Sequence, residues 1–351
     1  MKVDNKQQVE PPRSMVACES LVCSSRIRLA RNLAGIAFPG WSGPSERAAV
    51  WERVVQVLRA AAHIEHPLIQ TMGELEPLQR TMLQERRLIS AELAAGDATS
   101  GVIYEESGRL SVMVNEEDHL RIQSVASGFS LQSAWLAAQA LHADMEHALS
   151  FAFSPRWGYL TACPSNVGTG IRASVMVHLA GLRLMGELEP VVRGLERTGF
   201  AVRGVSGEGS SAYGGFCQIS NQKTLGVDEP DTLRDVEDMV ASVLRTERDA
   251  RSRLIEIRPW VLEDAVARAY GLLRHARLLT TAESLDSLSM VMLGIDCRLI
   301  GGIDIPAIQV LMQEMQPGHL QFHQGRMLAV VDRDQFRARH VQQAVAAMEL
   351  I

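Results

Sequence analysis

Near Pro230 the hydropathy pattern of the chain changes period. From there onward, apolar residues recur at helical spacing in five segments: 230–250, 259–277, 281–292, 305–315 and 333–350. Glycine and proline fall between these segments, where helices have to stop. Upstream the signals are mixed. A helix is predicted over 45–64, with Ser45 as its cap candidate, and a long buried helix over 130–150. Strand-like runs stand at LSVMVN (110–115, after a turn at Glu106-Ser107-Gly108), WGYLTA (157–162) and GGFCQIS (214–220). A further helix is predicted from about Gly170. There is no internal repeat and no low-complexity tract. The pattern predicts an α+β chain, with a mixed domain followed by an all-α domain. We set these at 21–250 and 251–351, behind a flexible arm at 1–20.

Composition narrows the class. With 35 basic and 41 acidic side chains the net charge is −6, which argues against a broad nucleic-acid or anionic-membrane surface. No stretch approaches the roughly 20 apolar residues of a membrane helix. Met1 to Ser20 is polar, contains Pro11-Pro12 and lacks the apolar core of a signal peptide. The five cysteines (Cys18, Cys23, Cys163, Cys217 and Cys297) are scattered, with no CxxC pair. A cytoplasmic protein with free thiols is expected, without a disulfide scaffold or a zinc site. Only three of the 35 basic residues are lysine. Codon usage explains such a skew, and so does a phosphate site built from planar guanidiniums. Position has to decide between them.

Four segments concentrate chemistry. In Ser24-Ser25-Arg26-Ile27-Arg28, alternation on a strand puts both arginines on one face, as a polyphosphate would need. A solvated basic strand edge would read the same way. In Asn115-Glu116-Glu117-Asp118-His119-Leu120-Arg121, three acids follow a strand and could hold magnesium or take a proton. A polar turn is the plainer reading. In Thr161-Ala162-Cys163-Pro164-Ser165-Asn166-Val167-Gly168-Thr169-Gly170-Ile171-Arg172, a cysteine sits in a turn of small residues. There a helix N-terminus and nearby cations would lower its pKa. A buried thiol in a tight turn is the alternative. From Arg203 to Gly215, five glycines in 13 residues, with Glu208 among them, suggest a lid or a plain surface loop.

Together, SSRIRLARN, VNEEDHLRIQ, YLTACPSNVGTGIRAS, RGVSGEGS and SNQKTLG resemble the phosphagen (ATP:guanido) kinase family, in family order and spacing. The resemblance implies a catalytic domain with an antiparallel sheet flanked by helices, of glutamine-synthetase-like type. It implies transfer of the γ-phosphoryl of ATP to a guanidinium, with magnesium carried mainly by ATP and no dedicated metal site. Glu117 and Glu208 resemble the carboxylates that grip and deprotonate the guanidinium, and Cys163 the thiolate beside it. Arg26, Arg28, Arg121, Arg172 and Arg203 resemble the clamp on the nucleotide phosphates. The nucleotide-binding segments also include Ser24, Ser25, Ile27, Ala173, Ser174, Val175, Met176, Gly204, Val205, Ser206 and Gly207, as well as Glu208.

Classical members carry a helical domain of about a hundred residues before the SSRIR segment, whereas here 23 residues precede Ser24. The appended domain contains Arg333-Asp334-Gln335-Phe336-Arg337-Ala338, similar to the RDxxRA motif of the McsB-type bacterial protein-arginine kinases. This branch phosphorylates arginines exposed on proteins. Its resemblance implies a second, allosteric phosphoarginine pocket at Arg333, Asp334 and Arg337, and a homodimer. It also implies an McsA-like activator, a ClpC-ClpP protease that degrades marked proteins, and a CtsR-like repressor among the partners. An exposed charge pair on a helix would explain six residues alone equally well. One departure stands out: where the branch reads KHLIS, this chain has Arg87 at the histidine position, and an arginine there can contact phosphate or stack on adenine. Two other functions stay open, a kinase for free arginine or another small guanidine, and a catalytically weakened phosphoarginine- or nucleotide-binding regulator.

Overall fold

The computed structural model describes residues 21–204 and 213–351. The predicted arm at 1–20 and Val205, Ser206, Gly207 and Glu208 lie outside the described residues. β1 (Val22–Arg31) leads to α1 (Pro44–Ala60), which opens on Pro44, with the Glu46 carboxylate accepting the Gly43 N–H at 3.0 Å. Then follow β2 (Leu68–Thr71), α2 (Pro77–Glu85), α3 (Ala91–Ala94), β3 (Gly101–Tyr104), β4 (Leu110–Val114), β5 (Leu120–Ser127) and α4 (Leu131–Glu146). β6 (Phe153–Ser154) and β7 (Gly158–Tyr159) form a small hairpin. β8 (Ile171–His178), α5 (Ala180–Met185), α6 (Leu188–Arg197), β9 (Phe200–Gly204) and β10 (Phe216–Asn221) complete the sheet-bearing part.

Eight strands make one antiparallel sheet in the order β2-β3-β4-β5-β1-β8-β10-β9. Its two faces are sorted by the period-2 alternation of the strands. Ile27, Leu29, Ile122, Ala173, Val175, Val177 and Ile219 point to one side, into the main core with α1 and α4. Among the described residues, the other face is covered only at its wings. On one wing α2 and α3 pack Leu83 and Leu93 over Val102, Tyr104 and Met113. On the other, the helical domain packs over Met176 and Phe216. Among the described residues, the middle of this face is open between the two covers.

α7 (Glu229–Ile257) is capped by Asp228, which accepts the Asp231 N–H at 2.8 Å, and runs without a break through residue 250. α8 (Pro259–His275), α9 (Thr281–Asp296), β11 (Ile300–Gly301), α10 (Ile305–Glu314), α11 (Pro317–His323), α12 (Val330–Ala344) and β12 (Glu349–Leu350) follow. α9 starts on a Thr280–Glu283 capping box, and α10 on Asp304. α11 is an addition to the five helical segments of the sequence. Residues 349–350 pair with 300–301 instead of continuing the last helix. No helix among the described residues is long and apolar enough to cross a membrane.

Further sequence expectations are corrected, the first being that Gly43 and not Ser45 is the N-cap of α1. The helix expected from Gly170 is the strand β8, paired with β1 on one side and β10 on the other. IRASVMVH alternates with period 2 and is rich in β-branched residues, so Arg172 stands on a sheet and not in a first helical turn. The strand expected over 157–162 shrinks to Gly158–Tyr159, because the Ala162 N–H is drawn to the Asp118 carboxylate at 2.7 Å.

Candidate active site

Cross-strand register gathers the arginines. Arg28 on β1 lies opposite Arg172 on β8 and Gln123 on β5, while Arg121 lies opposite Ala30. Gln218 on β10 lies opposite both Met176 and Arg203, and its side-chain oxygen accepts from Arg26 Nη2 at 2.8 Å. Arg26, Arg28, Arg121, Arg172 and Arg203 therefore share the open face although they come from four strands. Burial and the guanidiniums of Arg87, Arg121, Arg172 and Arg203 push Arg26 down to about 9. Arg28 is driven well below its ordinary value by burial first, then by the same crowding. Its Nε is buried without a hydrogen-bond partner among the described residues. Crowded, half-buried cations of this kind form a site suited to a polyanion.

The acid cluster divides its labour. Glu116 holds Arg121 Nη1 at 2.9 Å and accepts from Ser90, which also caps α3 by accepting the Leu93 N–H at 3.0 Å. Asp118 is buried and ties Asn32 Nδ2 (2.6 Å) to the Ala162 N–H, so it braces the loop that carries Cys163. His119 is buried and accepts the Leu33 N–H at 3.1 Å. Glu117 is the more exposed of the two glutamates that line the cleft, 3.4 Å from Arg121 Nη2. Burial raises its pKa, with Asp118 and Glu116 adding to the rise; Arg121 and a hydrogen bond from Cys163 oppose it. The Cys163 sulfur lies 3.0 Å from Ser165 Oγ.

The cysteine turn differs from its expected form. It is followed by a single 3-10 turn (Pro164–Asn166), not by a helix whose dipole could act on the thiol. Its glycines serve internal packing. Gly168 has φ +114°, and a Cβ there would collide with the Thr224 carbonyl. Arg31, from the same segment as Arg28, is a buried staple. It lies over the Tyr159 ring at 3.5 Å and donates to His142 at 2.9 Å. Burial and Arg31 together hold His142 down to about 3, so it is neutral and can accept.

A cleft of about 930 Å³ joins Glu117, Cys163, Arg28, Arg121, Arg172 and Arg203. A pocket of about 230 Å³ adjoins it along Arg26, Arg28, Arg87, Arg121 and Arg203, with Gly204 at its rim. Ser24, Ser174 and Met176 line a third pocket beyond, of about 250 Å³. The side chains of Ser25, Ile27, Ala173 and Val175 are not in this set. Alternation turns them to the opposite face, where Ile27, Ala173 and Val175 are core and Ser25 donates to the Gly128 carbonyl at 2.9 Å. Arg87 has φ +60° because it is the left-handed residue ending α2: its N–H bonds Gln84 and the Leu88 N–H bonds Leu83. Sequence alone assigns no role to the supporting residues Ser90, Gln123 and Gln218, and it does not separate Glu116 from its acidic neighbours. Gln218, a polar residue inside the strand FCQIS, was the readable hint.

The second predicted pocket has a different build. Arg337 is buried, donating to the carbonyls of Met315 (2.9 Å) and Leu279 (2.7 Å) and pairing with Asp334 at 2.6 Å. Its Nε and Nη1 are thus tied to groups inside the helical domain. Arg333 and Asp334 are half-buried. Arg337→Met is expected to lower stability by about 2–4 kcal/mol, since two carbonyls and a carboxylate lose their partner. Denaturant unfolding checks this, and a midpoint equal to the parent's would contradict it.

The chain matches the family described as ATP:guanido phosphotransferase, C-terminal catalytic domain, over residues 49–250. It matches the protein-arginine kinase McsB C-terminal domain over 259–350. It is 42% identical over 329 residues to a protein-arginine kinase of Moorella thermoacetica, covering 93% of this chain and 94% of the relative. It is 40% identical over 318 residues to that of Halothermothrix orenii, covering 91% of each. Among solved structures, it is similar in fold to a lombricine kinase (TM-score 0.58, 24% identity, 69% of this chain and 72% of that one). It is also similar in fold to the duplicated taurocyamine kinase of Schistosoma mansoni (TM-score 0.59, 22% identity, 76% of this chain and 38% of that one).

Proposed function

The chain belongs to the ATP:guanido phosphotransferase family, in its protein-arginine kinase branch, and from that premise we propose how its cleft works. The enzyme transfers the γ-phosphoryl of ATP to the guanidinium of arginine side chains in proteins. The observation that carries this is the convergence of five arginines on one open sheet face, beside a carboxylate and a thiol.

The guanidinium enters at Glu117 and Cys163. A guanidinium is cationic and delocalised, hence a poor nucleophile until it is aligned and relieved of a proton. Glu117 orients it and accepts the proton as the nitrogen–phosphorus bond forms and the bond from the γ-phosphorus to the ADP oxygen breaks. Cys163, hydrogen-bonded to Glu117, contacts the other edge of the substrate. Arg26, Arg28, Arg121, Arg172 and Arg203 stabilise the charge spread over the phosphoryl oxygens. Magnesium brought in with the nucleotide would supply further neutralisation of the phosphates.

Arg333 and Asp334 form an allosteric phosphoarginine site, with Arg333 on the phosphate and Asp334 on the guanidinium. The protein acts as a dimer, with an McsA-like activator and a CtsR-like repressor among its partners, and its products are degraded by a ClpC-ClpP protease in a stress response. The catalytic part spans 21–250 and the regulatory part 251–351.

Mass spectrometry after incubation with ATP, magnesium, an unfolded arginine-rich protein and free arginine in competition tests the main reading. Acid-labile phosphoarginine is expected on the protein. Phosphorylation of free arginine alone would replace this reading with the small-guanidine kinase.

A further inference from the structure

We propose that Gln313, on α10 of the helical domain, positions the nucleoside half of ATP and is itself held by His319 and Glu85. The inference rests on the reading of the cleft given above. The three cavities are joined in succession by shared walls. The first holds Glu117 and Cys163, and the second is walled by arginines. The third shares Arg26, Arg87 and Gln218 with the second. A donor with its γ-phosphoryl at Glu117 and its phosphates among the guanidiniums has to send ribose and base into the third. Beside Arg26, Arg86 and Arg87, that pocket has apolar walls in Val125 and Met176, and Gln313 reaches it from the other domain.

Gln313 is exposed, so its amide is not a core staple. Its Nε2 lies 3.1 Å from His319 Nε2. His319 Nδ1 lies 2.7 Å from the Glu85 carboxylate, which also accepts the N–H groups of Gly318 (2.6 Å) and His319 (3.0 Å). A proton on Nδ1, facing the carboxylate, leaves Nε2 as the acceptor for the Gln313 amide. One N–H and the carbonyl oxygen of Gln313 then remain for a ribose hydroxyl or a base edge. Glu85 directly precedes Arg86 and Arg87, which line the same pocket. One chain of hydrogen bonds therefore sets the amide and anchors the segment opposite it.

The test is ATP kinetics with a protein acceptor, plus calorimetric titration of ATP alone, on the full chain. Gln313→Ala is expected to raise KM and Kd for ATP about three- to ten-fold, the span of one hydrogen bond. Its kcat at saturating ATP should stay within about two-fold, the mark of lost ground-state binding. His319→Ala, which leaves the amide present but unbraced, should give a smaller rise, and the double variant should be no worse than Gln313→Ala. A parent-like Kd in Gln313→Ala, or a lower kcat with unchanged KM, overturns the proposal. Arg28→Met separates the two readings. If it loses ATP binding while Gln313→Ala keeps it, only the role of Gln313 falls. If Arg28→Met binds ATP like the parent, the assignment of the cleft itself falls.

Discussion

Glu117→Gln is expected to reduce phosphoryl transfer to protein arginine by about 10²–10⁴-fold, the contribution typical of a positioned general base. The amide keeps the shape of the side chain but can neither take a proton nor carry charge beside the guanidinium. Folding should survive, because the buried bracing of this segment belongs to Asp118 and Glu116 and not to Glu117. The pH profile of kcat/KM sharpens the test. Glu117 must be ionised to act, so activity rises with pH through its pKa. Burial, Asp118 and Glu116 raise that pKa above the ordinary glutamate value of 4.5. The acidic limb should therefore lie at higher pH than an exposed glutamate would give, and it should vanish from the residual activity of Glu117→Gln. Single-turnover phosphorylation over a pH series measures both, and near-parent rates in the variant would remove Glu117 from the mechanism.

Arg28→Met should separate stability from activity. Transfer is expected to fall about 10³–10⁵-fold, as when a single arginine is withdrawn from a phosphoryl transition state. Yet the protein without nucleotide should melt higher, by about 2–4 °C. Arg28 stands among Arg26, Arg121, Arg172 and Arg203 with a buried Nε that has no hydrogen-bond partner among the described residues, so a methionine removes repulsion and a desolvated donor while keeping most of the stem. The stored repulsion is released when a polyanion binds, so ATP should raise the melting point of the parent and barely move that of the variant. Thermal melts with and without ATP decide this. A lower melting point in Arg28→Met would mean that the arginine holds the sheet together and is not held by it.

Much of this site was readable because its motifs are short and local. Alternation in SSRIR states that Arg26 and Arg28 share a face, whatever the rest of the chain does. The same logic, applied to residues 171–178, would have turned Ala173 and Val175 away from the nucleotide. Reading that segment as a helix concealed it, since a strand inside a sheet is stabilised by partners such as Arg28 and Gln218 that lie far away in sequence. Glu116, Glu117 and Asp118 look alike in sequence. They were sorted only by Ser90, Asn32, Ala162 and Cys163, which come from three other segments.

The sequence by itself determined the family, the order of the two kinds of domain and the residue types that meet the phosphates. Those follow from periodicity and from motifs a few residues long. Tertiary structure decided which of the many arginines face the cleft and which are staples. Arg28 and Arg31, three positions apart, ended on opposite sides of that division, one crowded by cations and the other spent on Tyr159 and His142. It also placed Gln313 against a pocket built by residues 95 to 289 positions earlier. Charge and hydrogen bonding act over a few ångströms of space, and the chain reveals those distances only once the sheet has brought its strands together.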